Sequence, residues 1–423
     1  MRIVSAEEAV SVIRSNDAIY VHCAAAAPNV LLRALVARAP ELTDVSIIHL
    51  HLDGDAPHLR REVSRSFRHK ALFIGQSARE AVNEGRAEYV PVFLSDVPAL
   101  FRRRTLALDA VFINVSPPDA HGFCSLGTSC EAMLAAIPAA TTVVAQINRS
   151  MPRVLGDGFV HVSNIHLGVL VDEPPFEHAE PELGEVERRI GAHVAELVPN
   201  GATLQMGIGA IPSAVAACLT DKRELGVHTE MFTDAVMHLV EAGAITGAAK
   251  EVNRGKIVSG FLMGTKRLYS FVDDNPMIEM RPVDYTNDST LIRRFRKMIA
   301  INSAIEVDLT GQVCADSIGA RLYSGVGGQM DFIRGAAMAE EGRAIIALPS
   351  TAAGGKASRI SAFLKEGAGG VTTRAHVHTV VTEWGVAELH GRSLAERARA
   401  LIGVAHPDFR DDLLARARHT HTL

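Results

Sequence analysis

The sequence predicts an α/β protein made of two open, mostly parallel α/β domains related by internal duplication, and three observations predict it. A chain of 423 residues exceeds one ordinary core and fits two domains of about 200 residues each. Apolar strand-like runs, such as Ala344 to Leu348 and Val377 to Thr382, alternate with helical ones, the pattern of parallel sheets covered by helices. The third observation is a repeat.

Asn16-Asp17-Ala18-Ile19-Tyr20-Val21 runs into a small-residue stretch that ends at Pro28, and Asn200-Gly201-Ala202-Thr203-Leu204-Gln205 runs into another that ends at Pro212. Each reads as a strand, a tight loop and a helix, the helices covering Val30 to Ala37 and Ala214 to Leu219. Farther on, Asp119-Ala120-His121-Gly122-Phe123-Cys124 echoes Asp308-Leu309-Thr310-Gly311-Gln312-Val313-Cys314, so the offsets, 184 and 189, nearly agree. The joint falls across Asp172 to Glu187, rich in Pro and Glu, and divides the chain into 1–185 and 186–423.

Composition narrows the function classes. Hydrophobic residues form 48% and charged residues 22%, which suits a globular enzyme, and a formal net charge of −5 offers no basic stripe for nucleic acid or anionic lipid. A single Trp and 5 Tyr supply few stacking platforms for bases. The five cysteines (Cys23, Cys124, Cys130, Cys218, Cys314) are scattered and odd in number, so no disulfide framework is expected and a reduced cytoplasm is the natural compartment. The start, Met1-Arg2-Ile3-Val4 followed by Glu7 and Glu8, lacks an apolar core of signal-peptide length. The longest apolar stretch, Met133 to Ile147, contains Pro138 and reads as buried helix, turn and strand.

Chemistry concentrates in the second half. Gln205-Met206-Gly207-Ile208-Gly209-Ala210-Ile211-Pro212 lies between strand and helix, where Gly207 and Gly209 let a phosphate or a developing oxyanion approach backbone amides. Val227-His228-Thr229-Glu230 then places Glu230 at the exit of the next strand, ahead of an amphipathic helix over Ala235 to Ala242. A carboxylate there either solvates a helix start or attacks a thioester in a site that suppresses water. Ser324-Gly325-Val326-Gly327-Gly328-Gln329 reads as a tight turn or as a second backbone nest beside a carboxylate. Downstream, Gly354-Gly355-Lys356 followed by Arg359 sets positive charge beside flexible glycines, which suits phosphate or pyrophosphate, although an isolated loop lysine is more often merely solvated.

Two rivals arise from the same residues. A dinucleotide-binding dehydrogenase would use the glycine loop with Glu230 on a ribose, but Pro212 stands where the third Gly belongs. A metal-dependent hydrolase would use His49-Leu50-His51-Leu52-Asp53, with two imidazoles on one strand face and Asp55 and His58 close by. Among 18 His such spacing arises by chance, and no second ligand cluster accompanies it in the sequence.

In sum these segments resemble the acetyl-CoA hydrolase/transferase family of class I CoA-transferases, closest to its 4-hydroxybutyrate and butyrate CoA-transferase branch. The resemblance spans nearly the whole chain and is densest in Gly207 to Pro212, His228-Thr229-Glu230-Met231, Phe261-Leu262-Met263-Gly264-Thr265, Ile301-Asn302-Ser303, Gly311-Gln312-Val313-Cys314, Gly325 to Phe332 and Val381-Thr382-Glu383-Trp384-Gly385-Val386-Ala387. It implies a CoA-transferase fold and a ping-pong exchange of CoA between a short-chain acyl-CoA, acetyl-CoA first, and an acid such as 4-hydroxybutyrate or butyrate. Glu230 would be the nucleophile that carries CoA as a thioester. Gly207, Ile208, Gly209, Ala210 and Ile211 would contact CoA, Asn302 would support that site, the Gly328 amide would serve an oxyanion or bound carboxylate, and Lys356 would lie near the CoA tail. Asn287 and Glu383 look like substrate-side polar residues, with hydrogen-bonded turn positions as the plainer reading. No metal and no permanently bound cofactor is called for, CoA being a substrate, and a homodimer is the expected assembly. Hydrolysis, or a dicarboxylate acceptor such as succinate or itaconate, stays as the alternative.

Overall fold

The computed structural model describes residues 1–52 and 54–419, which form two compact units. Unit 1 comprises Met1–Ala179 with Val258–Thr286, and unit 2 comprises Glu180–Ile257 with Asn287–Leu423. These units differ from two continuous stretches, 1–185 and 186–423, by a joint between Ala179 and Glu180 and by one excursion. Val258 to Thr286 packs with unit 1 through backbone bonds that have no local signature: Leu262 N donates to Thr128 O, Met280 N to Leu155 O and Val283 N to Glu131 O.

Unit 1 holds strands β1 (Arg2–Ile3), β2 (Ala18–Val21), β3 (Val45–His49), β4 (Phe67–Ala71), β5 (Ala87–Tyr89), β6 (Leu108–Val115), β7 (Phe123–Ser125), β8 (Ala140–Asn148), β9 (Phe159–His161) and β10 (Leu167–Val171). Eight of them make a sheet in the order β1-β10-β8-β6-β2-β3-β4-β5, with every neighbouring pair parallel. Helix α1 (Asn29–Ala37) buries Leu31, Leu32 and Leu35 in one core with Ile19, Ile47 and Phe112. Such a side chain contributes about 1.5–3 kcal/mol when fully buried. The apolar run from Met133 divides as expected, into a helix over Met133–Ala139 and then β8.

The main-sheet strands lying wholly within unit 2 are β11 (Thr203–Met206), β12 (Gly226–His228), β13 (Met298–Ser303), β14 (Arg343–Ala347), β15 (Thr379–Thr382) and β16 (Gly385–Glu388). They run β12-β11-β13-β14-β15-β16, parallel except for the final hairpin. The helix after β11, α2 (Ala210–Ala217), begins earlier than the apolar period suggests. Pro212 sits in its first turn, where the missing N–H removes no helical bond.

Both sheets follow one path. The chain leaves a central strand for a neighbour on one side, β2 to β3 and β11 to β12, then fills the other side with β6, β8 and β10, or β13, β14 and β15. The echoed loops match atom for atom. Asp119 Oδ1 accepts from His121 N and Phe123 N, as Asp308 Oδ1 accepts from Thr310 N and Gln312 N, and each turn has its glycine, Gly122 or Gly311, at positive φ. This correspondence sets Cys124 against Val313, so the two cysteines are one residue out of phase. All five cysteines are free, and no described helix is long and apolar enough to cross a membrane.

Candidate active site

The strand order switches sides at β11, between β12 and β13, and the carboxyl ends of strands beside such a switch point are where open α/β sheets take ligands. β11 ends at Met206 and delivers the loop Gly207 to Gly209. A Cβ on Gly207 or Gly209 would meet no described atom within 4 Å, so neither glycine is required by packing and both leave room for a ligand. Ile208 is 48% exposed on the same loop, Ala210 is half-buried and Ile211 is buried. Asn302, at the end of β13, exchanges two amide hydrogen bonds with Gln205, at 3.0 and 3.4 Å. Its amide therefore locks the two strand ends together beneath the loop.

One residue past β12, Thr229 is buried and donates through Oγ1 to Met206 O at 3.1 Å, which ties the exit of β12 to that of β11. The His228 ring lies tilted against Phe295 and Phe332, with ring centroids 4.8 and 6.3 Å away. This anchoring aims the half-buried Glu230 at the start of helix α3 (Gln329–Met338), whose N-cap is Gly328. A Cβ on Gly328 would overlap both Glu230 Oε2 and Asn287 Nδ2, so the absence of a side chain admits the carboxylate. Asn287 is buried, and its Nδ2 donates to Glu230 Oε2 at 3.0 Å and to Asp331 Oδ2 at 3.1 Å. Burial pushes the Glu230 carboxyl up to about 7, the Asn287 hydrogen bond pulls it down, and the charge of Asp331 pushes it up. Gln329 Nε2 donates to Ser303 O at 2.8 Å and fixes the helix start to the end of β13.

Glu230, Asn287 and Gly328 thus meet in one constellation. Asp331 joins them without having been singled out, since its only sequence signal is an acid in the first turn of a helix. Glu383 does not. Its oxygens accept from Ser350 N at 2.8 Å and Ser350 Oγ at 2.5 Å, and Trp384 Nε1 donates to the same hydroxyl at 3.1 Å. Glu383 orients the chain that leads into a hairpin of Thr351–Ala352 with Ala357–Ser358, and the exposed tip of that hairpin carries Lys356. Beside it a cavity of about 330 Å³ is lined by Ser303, Ser324, Tyr323, Arg359 and Lys365 among others. Arg359 donates to the carbonyls of Ala304, Ile305 and Thr351, which fixes its guanidinium at the wall. Arg359 gives a sequence hint of charge at this cavity, through its place after Lys356.

The histidines gather differently from the spacing of His49 and His51. His49 meets His58 and His69, whereas His51 lies against Gly75 and Asp55 pairs with Arg60 at the surface. Asp53 lies outside the described residues.

An α/β unit with a half-buried, desolvated carboxylate at a strand exit, a glycine nest against it and a cavity lined by Arg359 and Lys365 suits acyl transfer better than nucleotide redox chemistry. The comparisons agree. The acetyl-CoA hydrolase/transferase N-terminal domain matches residues 1–178 and the C-terminal domain matches residues 264–417. The chain is 48% identical over 413 residues, 98% of its length and 96% of the relative's, to the 4-hydroxybutyrate coenzyme A transferase of Clostridium kluyveri. It is 47% identical to the succinyl-CoA:acetate/propanoyl-CoA:succinate CoA transferase of Fasciola hepatica, over 96% of this chain and 86% of that one. The crystal structure of 4-hydroxybutyrate CoA-transferase from Porphyromonas gingivalis superposes with a TM-score of 0.86 at 38% identity, covering 99% of this chain and 98% of the other. The protein belongs to the acetyl-CoA hydrolase/transferase family and is a CoA-transferase.

Proposed function

We propose that this enzyme moves CoA between a short-chain acyl-CoA, acetyl-CoA foremost, and a carboxylic acid such as 4-hydroxybutyrate or butyrate, by a ping-pong cycle through a glutamyl-CoA thioester on Glu230. The observation that carries the reading is the Glu230 carboxylate itself, held against Gly328 and by Asn287 at 3.0 Å, with an ionisation near about 7. A carboxyl tuned to that range is ionised in a useful fraction at neutral pH while remaining a better nucleophile than a fully stabilised carboxylate. The acceptor assignment is supported by the substrate in the name of the Clostridium kluyveri relative.

In the cycle, a Glu230 oxygen adds to the thioester carbonyl carbon and the electron pair moves onto the carbonyl oxygen. The Gly328 amide, at the N-terminal end of α3, and the positive end of the helix dipole stabilise the oxyanion. Collapse of this tetrahedral adduct breaks the C–S bond, so that CoA departs as its thiolate and an acyl-glutamyl anhydride remains. The thiolate then adds to the glutamyl carbonyl carbon and expels the first acid as a carboxylate, leaving glutamyl-CoA. The acceptor carboxylate repeats the steps in reverse, and no net proton is needed. Gly207 to Ile211 border the bound CoA, with Asn302 holding the loop through Gln205. Arg359 and Lys365 line the cavity and Lys356 stands exposed at the tip of the adjoining hairpin, together supplying positive charge for the phosphates of the CoA tail. The reduced thiols suit a cytoplasmic enzyme, and a homodimer is the assembly proposed.

The test is incubation with acetyl-CoA alone, then mass analysis of the peptide carrying Glu230. A CoA-sized adduct that disappears in Glu230→Gln with folding intact supports the cycle, and an adduct unchanged by that substitution overturns it. Screening acetate, butyrate, 4-hydroxybutyrate, succinate and itaconate as acceptors against buffer then separates the monocarboxylate reading from a dicarboxylate one and from hydrolysis.

A further inference from the structure

His49 ends β3 and His69 lies on β4, where the register pairs Ile47 with His69 and His49 with Ala71. Residues two apart on a strand share a face, so both imidazoles project from the same side of the unit 1 sheet. The short turn Pro57–Leu59 lies against that side and adds His58. All three side chains are essentially buried, at 1%, 2% and 1% exposure. They sit beside apolar neighbours such as Ile47, Ala56 and Phe67.

The polar atoms of this cluster are poorly satisfied by protein. His58 Nε2 and His69 Nδ1 share one hydrogen bond at 3.1 Å, whereas both ring nitrogens of His49, His58 Nδ1 and His69 Nε2 have no protein hydrogen-bond partner among the described residues. Unpaired nitrogens of this kind, several to one spot, are uncommon in a native core because each costs desolvation free energy. One nitrogen from each ring can be chosen so that all three lie within 4.8 Å of one another. Nitrogens at ~2.0–2.1 Å from a tetrahedral zinc are roughly 3.3 Å apart, close to the His58–His69 separation.

We propose that His49, His58 and His69 form a three-imidazole site for a divalent transition-metal ion, Zn(II) being the fitting ion, that pins the turn Pro57–Leu59 onto β3 and β4. Imidazole nitrogen is a favoured ligand of late first-row metals, and three such ligands leave a fourth position for water or hydroxide. Binding gives His49 a partner and exchanges the His58–His69 hydrogen bond for two coordination bonds. The outer nitrogens, His58 Nδ1 and His69 Nε2, then carry the protons. Burial lowers the pKa of all three, that of His69 to about 4, so their lone pairs are available at neutral pH without competition from protons. Glu230 belongs to the other unit, and the CoA-transfer chemistry above has no role for this ion.

The experiment uses the full chain without a histidine tag, unfolded with chelator and refolded with one equivalent of Co(II) or Zn(II). One ion per chain and the visible d–d bands of tetrahedral Co(II) are expected, with Zn(II) displacing Co(II). His58→Gln, on the short turn, should lose the bands, as should His49→Gln and His69→Gln, while His51→Gln should keep them. Refolded wild type without bound ion overturns the proposal, as does a His58→Gln variant that binds like wild type. If the strand variants fail to fold, X-ray absorption on zinc-loaded wild type decides: three imidazole nitrogens are expected, and fewer than two overturn the assignment.

Discussion

Gly328 lies so close beneath the Glu230 carboxylate that a methyl group on its Cα would overlap Oε2. At φ −96° the Gly328 backbone suits any residue, so Gly328→Ala is a steric probe of the carboxylate and not of backbone strain. We expect the variant to fold and its kcat to fall about 100-fold, the order of loss that a 1 Å misplacement of a reacting group produces. Steady-state kinetics beside a circular dichroism spectrum check this, and a wild-type rate would separate Glu230 from the reaction.

The pH profile follows from the neighbours of Glu230. Its ionisation near about 7 predicts that kcat/KM declines as pH falls below that value, because the attacking group becomes protonated. Asp331→Asn removes the repelling charge and should move this acid limb to lower pH. Asn287→Ala removes a donor that favours the charged form and should move it upward. Opposite displacements are the signature, measured as kcat/KM against pH, and a limb indifferent to both substitutions would assign the titration to another group.

The hairpin tip gives a binding prediction. Lys356→Ala should raise KM for acyl-CoA by about 10-fold with little change in kcat, as loss of one charge-assisted phosphate contact implies. The effect should shrink for a substrate lacking the 3′-phosphate if that group is the one contacted. An unchanged KM for both substrates would move the CoA tail away from the hairpin.

Unit 1 offers a stability prediction through Glu131, which is buried and accepts from Tyr20 Oη at 2.7 Å. Burial pushes its carboxyl from 4.5 up to about 7, opposed by hydrogen bonds from Ala132 N and Tyr20. The folded state therefore holds this proton more tightly than the unfolded one. Its contribution is full below about pH 4.5 and is lost as pH rises through about 7. Glu131→Gln keeps an acceptor for Tyr20 and removes the titration, so urea denaturation should show a gain of up to roughly 3 kcal/mol near pH 8 that vanishes near pH 4.5. Equal gains at both pH values would contradict the assignment.

Much of the site was legible because strand ends and glycine loops leave local marks. Glu230 follows an apolar strand and precedes a helix, and the Gly207 to Gly209 and Gly325 to Gly328 loops announce themselves by composition. What stayed hidden depends on partners remote in sequence. Asn302 is engaged by Gln205, and Glu383 by Ser350, so each polar side chain acts one step back from the crevice. Asp331 is tied to Glu230 through the amide of Asn287, which is remote from both in sequence. His69 joins His49 by strand register, which residue spacing cannot express. The excursion of Val258 to Thr286 into unit 1 likewise rests on backbone pairing with no periodic trace.

The shared path of the two sheets makes their difference informative. Ile19 pairs with Ile47 on β3, and Thr203, its counterpart at the repeat offset, pairs with Gly226 on β12. Four residues beyond these partners stand His51 in one half and Glu230 in the other. Only Glu230 of the pair is a carboxylate, the group that the proposed glutamyl-CoA thioester requires, so under that proposal each polypeptide should saturate at a single CoA equivalent however many copies assemble.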